Sequence, residues 1–359
     1  MRFKAILAAA SVVAMGGAAQ ADDGPCSEWR EAGVIGDLRC EAADGGAVIG
    51  GAARATEYAQ VFPRAFAIFE DYFAPSEQKV ALVVQSEVSA ELTAALAADG
   101  YKPLPWIDNE TKAAMLRDRI VAQVEAQTAS LPEAQRAAVV QQALAKAEGA
   151  APAHADPEME DGAIAHEIGH LLFNRYFDGP DTGSADRTAR YGSSAPDWLD
   201  EAAAVALEND AQTRSRYVAA REAYDADGTV LAFPLDTYLS MEHPLLQSAQ
   251  ALKTLKRGST GAVMLSGDEA DAFLEASGGN PAVFYRQTRM FIDYLMETSG
   301  DPRILNSIAQ AYRDGGDLSG WLTQSGGENG LPETLDGLEI QFENWARARL
   351  AAISAAPVT

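Results

Sequence analysis

The chain has 359 residues with 52 acidic and 28 basic side chains, which gives a formal net charge of −24 at pH 7. This excess of negative charge argues against binding to nucleic acid or to anionic membrane surfaces, because both attract clustered cationic side chains. The length suits about two lobes, and beyond the N-terminus no stretch reaches the roughly 18 apolar residues that a membrane-spanning helix requires.

The first 21 residues have the three parts of a secretory signal. Arg2 and Lys4 form a basic start, residues 6–15 form an apolar core, and Ala19-Gln20-Ala21 is a small-residue cleavage site. The core is too short to span a bilayer. We therefore expect an exported protein, periplasmic or alternatively released outside the cell, whose mature chain begins at Asp22. Loss of two basic and no acidic residues would change its formal charge from −24 to −26.

Cys26 and Cys40 are the two cysteines of the chain, and both follow the predicted cleavage site closely. An even pair in an oxidising compartment favours one disulfide, with two free thiols as the alternative. Because the pair lacks the Cys-x-x-Cys spacing of many zinc sites, neither cysteine is a good candidate for a zinc ligand.

Between the signal and residue 160, the sequence predicts a small region with both helices and strands. Residues 22–54 are rich in Gly, Ala and Asp and are predicted to be partly irregular. The apolar patterns then predict a helix over 56–73 interrupted at Pro63, a buried strand over 79–84, a helix over 88–98, and a helical pair over 110–148 broken at 130–132. Residues 149–160, which include two prolines, are predicted to be a linker.

Residues 166–170 read His-Glu-Ile-Gly-His within a helical stretch. Positions i and i+4 lie about one turn apart, so both imidazoles leave the same helix face and can hold one Zn²⁺. Glu167 lies beside them, where it can take a proton from a water that the metal activates. The chain has only four histidines, which makes this spacing a specific signal. The alternative is a helix with two surface histidines and an accidental acid between them.

Two further features of this helix lead to structural predictions, one about its N-terminus and one about its packing. Asp161-Gly162 is predicted to cap its N-terminus. Gly169 stands in the helix interior, where Gly costs about 1 kcal/mol relative to Ala. Either a close neighbour, backbone or substrate, requires a residue without a side chain there, or the glycine is simply tolerated.

A catalytic zinc ion commonly has three protein ligands and one open position. The metzincin pattern is absent, because Phe173 and Tyr176 stand where it has Gly and a third His. The best candidate for the third ligand is Glu201, in a predicted helix whose alanines at 202–204 would let two helices cross closely. Asp200 competes for this role, and an acid in the first turn of a helix is also favoured by the helix dipole alone.

Together, residues 166–170 and the Trp-Leu-Asp-Glu-Ala run at 198–202 resemble the two motifs of the gluzincin zinc metallopeptidases. The second motif is similar to the W-L-x-E-G of peptidase-MA-like members, with Ala202 in place of the common Gly. Val205 stands where thermolysin-like members have Asp, which argues against that branch. The resemblance implies Glu167 as general base. It also implies the ligands of one zinc ion per chain: His166, His170 and Glu201.

A third segment, residues 284–295, resembles the helix that carries the catalytic tyrosine in the aminopeptidase branch of gluzincins. By that resemblance Tyr285 donates a hydrogen bond to the oxyanion, although Gln287 and Thr288 replace the Lys-Gly of the family pattern. The alternative is a half-buried tyrosine on an amphipathic helix. His243 is either a further donor in the cleft or a solvated loop residue, and His154 is expected to have no catalytic role.

The C-terminal part is predicted to be mainly helical after Glu208, with turns at 225–228, 278–279 and 315–316 and a polar loop over 178–194. We expect an α+β, predominantly α protein with a signal peptide (1–21), an N-terminal α+β region with a helical insertion (22–160), and a zinc-binding catalytic region with a helical C-terminal lobe (161–359). The gluzincin resemblance implies two lobes with the zinc helix between them.

The resemblance also implies the activity, which is hydrolysis of peptide bonds in peptide or protein substrates. One alternative is an exported zinc protein that has lost catalysis and uses the cleft for binding, and the intact Glu167 argues against it. The other is a helical scaffold with a coincidental motif, and the segment around Glu201 argues against that.

Overall fold

The computed structural model describes residues 24–50, 53–85, 88–149, 156–180, 192–244 and 281–353. Helices dominate these residues and four strands form one sheet, which confirms the α+β, predominantly α prediction. The predicted signal peptide, the turn at 278–279 and most of the loop over 178–194 lie outside the described residues. No helix in the described ranges combines the length and apolar character needed to cross a membrane.

The strands are β1 (Cys40–Ala43), β2 (Gly46–Gly50), β3 (Lys79–Val84) and β4 (Tyr101–Trp106). The helices of the N-terminal part are α1 (Gly24–Glu31), α2 (Ala55–Tyr72), α3 (Ala90–Ala98), α4 (Asn109–Gln127) and α5 (Glu133–Gly149). The later helices are α6 (Pro157–Asp178), α7 (Asp197–Ala206), α8 (Asp210–Asp227), α9 (Leu235–Ser240), α10 (Pro281–Ser299), α11 (Ile304–Arg313), α12 (Leu318–Trp321) and α13 (Leu335–Ala352). A π-helical turn (Leu322–Gly326) and a 3₁₀ turn (Gly327–Asn329) follow α12.

The sheet has the strand order β1-β2-β3-β4, with β1 antiparallel to β2 and the other neighbours parallel. Strand β3 confirms the prediction, whereas β1 and β2 lie in the segment that was predicted to be partly irregular. Strand β4 was missed because Pro103 and Pro105 argue against a strand. It is an edge strand, and prolines two residues apart direct their missing N–H groups toward the same side, away from β3.

Helix α2 runs without a break through Pro63, so the predicted interruption is wrong. Pro63 is exposed, while Phe62 and Phe69 are buried on another face of the helix. Burying each large apolar side chain stabilises the protein by about 1.5–3 kcal/mol. The stabilisation from this buried face therefore exceeds the roughly 3 kcal/mol that an internal proline costs a helix.

The hydrophobic core joins the sheet to the helices that carry the predicted metal site. Because strand side chains alternate between the two faces, Val48 and Leu82 point into the main core, while Ile49 and Val83 pack with Trp29 in a second cluster. The main core continues without a gap into α6, α7, α10 and α13. Helix α6 is thus held within the largest packed region of the described chain, and the predicted domain boundary at residue 160 remains a prediction.

A disulfide joins Cys26 in α1 to Cys40 at the start of β1, with the two Cα atoms 5.6 Å apart. Closing a loop of this length stabilises a protein by about 3 kcal/mol on the entropic model. We expect a variant with both cysteines replaced by Ala to lose about that much free energy of unfolding in urea, followed by circular dichroism. Reduced wild-type protein is the control and should behave like the variant. Two titratable thiols in the denatured, unreduced wild type would contradict the bridge.

Candidate metal centre

Helix α6 begins five residues earlier than the sequence predicted. Asp156 is its N-cap and accepts a hydrogen bond from the backbone N–H of Glu158 at 2.9 Å, with Pro157 at the first helical position. Proline is favoured there because its fixed φ suits a helix start and its missing N–H has no partner to lose. Asp161, which was predicted to cap the helix, lies inside it and pairs with Arg54 at 2.7 Å.

Helices α6 and α7 cross in close contact at Gly169. A Cβ atom on Gly169 would lie 2.7 Å from the Cα of Ala204 and 3.2 Å from the carbonyl oxygen of Ala203. The close neighbour that Gly169 requires is therefore the backbone of α7, and simple tolerance of the glycine is ruled out. The alanines at 202–204 are fully buried in this crossing, as the sequence predicted.

This crossing brings the three predicted metal ligands together. The Nε2 atoms of His166 and His170 are 3.2 Å apart. Glu201 places Oε2 3.5 Å from the Nε2 of His166 and Oε1 3.6 Å from the Nε2 of His170. All three residues are buried, and Glu201 is completely so. Among the described residues they form the one group of His, Cys, Asp or Glu side chains compact enough for a metal ion.

The spacing of these donor atoms fits zinc. A tetrahedral Zn²⁺ with bonds of about 2.0–2.2 Å to nitrogen and oxygen needs ligand atoms about 3.3–3.6 Å apart. The two Nε2 atoms are 3.2 Å apart, and each has one oxygen of Glu201 at 3.5 or 3.6 Å, so these separations lie close to that range. Two histidine nitrogens and a carboxylate are also the donor types of known catalytic zinc sites with an open fourth position.

The other ring nitrogen of each histidine contacts a buried carboxylate. His166 Nδ1 lies 3.1 Å from Glu208 Oε1, and His170 Nδ1 lies 2.5 Å from Asp200 Oδ1. Because a carboxylate accepts, each Nδ1 carries a hydrogen, and each Nε2 is the ring nitrogen left to bind a proton or a metal ion. Carboxylate–histidine pairs of this kind orient metal ligands. Asp200 is therefore an outer partner of His170 rather than a competing ligand.

The two outer carboxylates are themselves held in place. Arg216 pairs with Glu208 at 2.8 Å, and the backbone N–H of Ser193 donates to Asp200 Oδ2 at 2.5 Å. Gly192 has a φ of +68°, and a Cβ there would lie 2.4 Å from Asp200 Oδ2, so only glycine fits. Burial raises the pKa of Glu208, but the hydrogen bond from His166 and the charge of Arg216 outweigh it and lower the pKa to about 2.

The negative charge around His170 makes the position between the histidines attractive to a cation. Burial alone lowers the pKa of His170, but the charges of Glu201 and Asp200 and the hydrogen bond to Asp200 raise it to about 10. The charge of Glu167 makes a smaller contribution to the same rise in the pKa of His170. Glu167 follows His166 in the helix and is only partly buried, so its side chain is accessible to solvent.

Tyr285, at the start of α10, also lies at this site. Its ring centroid is 5.4 Å from that of His166 in an edge-to-face arrangement. The guanidinium carbon of Arg216 lies 4.8 Å from the tyrosine ring centroid, within the range of a cation–π contact. The same arginine thus contacts the outer partner of His166 and the ring of Tyr285.

His243 is not the solvated loop residue that one reading of the sequence expected. Its side chain is fully buried, and its Nε2 lies 3.2 Å from Glu201 Oε1. Burial, followed by the charges of His170 and His166, lowers the pKa of His243 to about 3, so the ring is neutral. His243 is therefore part of the candidate metal centre: it contacts Glu201 but is not one of the three candidate ligands.

Sequence reasoning did not assign Glu208 or Arg216. Glu208 lies two residues beyond the end of α7, seven positions after Glu201. Nothing in the sequence pointed to Glu208 or to Arg216.

The centre combines two histidines and Glu167 of α6 with Glu201 of α7 and Tyr285 of α10. Comparisons with protein-family models, with curated proteins and with solved structures gave no match. Function is therefore inferred from the chemistry and geometry of the site.

Proposed function

We propose that this protein is an exported, zinc-dependent peptidase of the gluzincin type. Three buried residues whose donor atoms lie 3.2–3.6 Å apart, with the partly buried Glu167 next to His166 in the same helix, carry the proposal. In it, His166, His170 and Glu201 hold one zinc ion. The two-lobed gluzincin arrangement, with α6 between a mixed N-terminal part and a helical C-terminal part, belongs to the same proposal.

When bound, zinc supplies a Lewis acid that polarises a carbonyl and lowers the pKa of water to about 7. Glu167 accepts a proton from the water while the water oxygen attacks the peptide carbonyl carbon. The C–N bond then breaks, and Glu167 delivers the same proton to the leaving amine nitrogen. The partial exposure of Glu167 supports this role, because the carboxylate must reach water and substrate.

The hydroxyl of Tyr285 donates to the carbonyl oxygen while negative charge develops there. The ring contacts with His166 and Arg216 support this role because they hold the tyrosine in one orientation. We expect Tyr285→Phe to lower kcat about 10²–10³-fold, the usual cost of one oxyanion donor, with little change in zinc content. Steady-state kinetics and metal analysis measure both quantities. An unchanged kcat would remove Tyr285 from the mechanism.

A mixed peptide library read by mass spectrometry tests the proposed activity. Zinc-loaded wild-type protein should cleave a subset of the peptides, and the cleavage positions would show whether it acts internally or at chain ends. The same protein treated with a chelator should leave the library intact. A protein that holds one zinc ion and cleaves nothing would favour the alternative, an exported zinc-binding protein without catalysis.

A further inference from the structure

Arg216 in α8 makes two hydrogen bonds to Glu208, the outer partner of His166. Its Nη2 donates to Oε1 of Glu208 at 2.8 Å, and its Nε donates to Oε2 of the same carboxylate at 3.4 Å. A guanidinium that bonds a carboxylate at two points fixes the orientation of the carboxylate as well as its distance. Oε1 of Glu208 also accepts from Nδ1 of His166 at 3.1 Å. The arginine and the histidine thus share one oxygen, so a displacement of that carboxylate would displace the imidazole.

The same guanidinium lies over the ring of Tyr285. Its carbon Cζ is 4.8 Å from the centroid of the tyrosine ring. A cation is attracted by the negative face of an aromatic ring, so this contact holds the ring as well as the arginine. The ring of Tyr285 in turn meets the ring of His166 edge to face, with the centroids 5.4 Å apart. Side chains from α6, α8 and α10 therefore contact one another beside the candidate metal centre.

Helix α8 is itself fixed to the two helices that it connects through Arg216. Gln212, one turn earlier in α8, donates its Nε2–H to the carbonyl oxygen of Met159 in α6 at 3.1 Å. Tyr217, the residue after Arg216, donates its hydroxyl hydrogen to Asp293 Oδ2 in α10 at 2.6 Å. Both of these α8 side chains are buried. Arg216 thus extends from a helix that is anchored to the helix of the histidines and to the helix of the tyrosine.

We propose that Arg216 is a positioning residue that aligns the zinc ligand His166 and the oxyanion donor Tyr285 together. It acts on His166 through Glu208, because it holds the carboxylate in place, and it acts on Tyr285 directly, because it holds the ring in one orientation. The proposal rests on the proposed function, since it assumes both the zinc site and the role of the tyrosine. It adds one residue whose loss weakens zinc binding and catalysis by separate routes.

Arg216→Met tests the route to zinc. Met has a similar length but no charge and no N–H donor, so Glu208 loses two hydrogen bonds. Losing an outer partner of a metal ligand costs about 10–100-fold in affinity, and we expect about 10-fold because Arg216 acts through Glu208. Competition with a chromophoric zinc chelator measures this. Arg216→Lys restores a cationic donor and should recover part of the affinity. Wild-type affinity in Arg216→Met, or equal affinity in the Met and Lys variants, would overturn the proposal.

A double-mutant cycle with Tyr285→Phe tests the route to catalysis. At saturating zinc, Arg216→Met alone should lower kcat about 10-fold with little change in KM, because the misplaced hydroxyl acts in the transition state. In the Tyr285→Phe background the same substitution should lower kcat little further, because the hydroxyl that Arg216 positions is already absent. An unchanged kcat in Arg216→Met, or an equal loss of kcat in both backgrounds, would overturn the proposal.

Arg214→Met is the matched control. Arg214 is exposed two positions earlier in α8, about 200° around the helix from Arg216. Its loss should leave zinc affinity and kcat near wild type. Should Arg216→Met fail to fold, nitrogen-15 NMR of the wild type decides. The guanidinium N–H groups of Arg216 should exchange slowly with solvent, and their signals should shift in Tyr285→Leu, which removes the aromatic ring. Rapid exchange, or signals that do not shift, would overturn the proposal.

Failure of this proposal can be told apart from failure of the proposed function. Peptide hydrolysis by the wild type, together with wild-type zinc affinity in Arg216→Met, would overturn the positioning role and leave the peptidase intact. Lowered zinc affinity in Arg216→Met, with no hydrolysis by the wild type, would overturn the peptidase and retain the role of Arg216 toward His166. A wild type that binds no zinc would overturn both.

Discussion

Glu167→Gln is expected to abolish most peptide hydrolysis while leaving zinc bound. Gln keeps the size and hydrogen-bonding reach of the side chain but cannot accept the proton of the attacking water. General base catalysis is worth about 10²–10⁴ in rate, and the loss should reach the upper end because the same group also protonates the leaving amine. The measurement is kcat/KM on a peptide taken from the library, together with zinc content by elemental analysis.

Glu158→Gln is the matched control for this result. Glu158 is exposed in the first turn of the same helix, and the substitution makes the same chemical change away from the donor atoms. It should leave both zinc content and rate near wild type. Wild-type hydrolysis by zinc-loaded Glu167→Gln would show that the proposed mechanism is wrong.

His170→Ala is expected to cause the largest loss of metal. It removes one of three donor atoms and leaves Asp200, fully buried, without its imidazole partner. Loss of an outer partner alone costs about 10–100-fold in affinity, so loss of a ligand should exceed that range. Competition with a chromophoric zinc chelator measures the affinity. Thermal unfolding should accompany it, because an unsatisfied buried acceptor costs about 1–3 kcal/mol of stability.

His154→Ala is the control, because it removes a histidine to which the sequence gave no role. It should bind one zinc ion with wild-type affinity. Full zinc content in folded His170→Ala would contradict the ligand assignment.

The parts of the centre that the sequence predicted are those governed by local spacing. An i,i+4 pair of histidines shares a helix face wherever that helix packs, and Gly169 with the following alanine-rich helix indicated a close crossing. These local signals predicted His166, His170 and Glu201, and the three residues lie together in the structure. Most helices followed in the same way, because their apolar faces repeat with the helical period.

The remaining parts depend on contacts between distant residues. His243 contacts Glu201 across 42 positions of sequence, and no local pattern distinguishes a buried histidine before a proline from an exposed one. Arg216 pairs with a carboxylate that lies before α8, and its role follows only from the packing of that helix on α6. Strand β4 was not predicted for a related reason. Its prolines are compatible with a strand only at the free edge of a sheet, and local sequence does not show which strand forms that edge.

The central claim, that one zinc ion held by this centre supports peptide hydrolysis, is tested most directly by titration. Wild-type protein stripped with a chelator should cleave no library peptide. Added zinc should restore the rate in proportion until one equivalent is bound, after which the rate should stay constant. Hydrolysis that persists in the stripped protein, or one bound equivalent of zinc without hydrolysis, would contradict the proposed function.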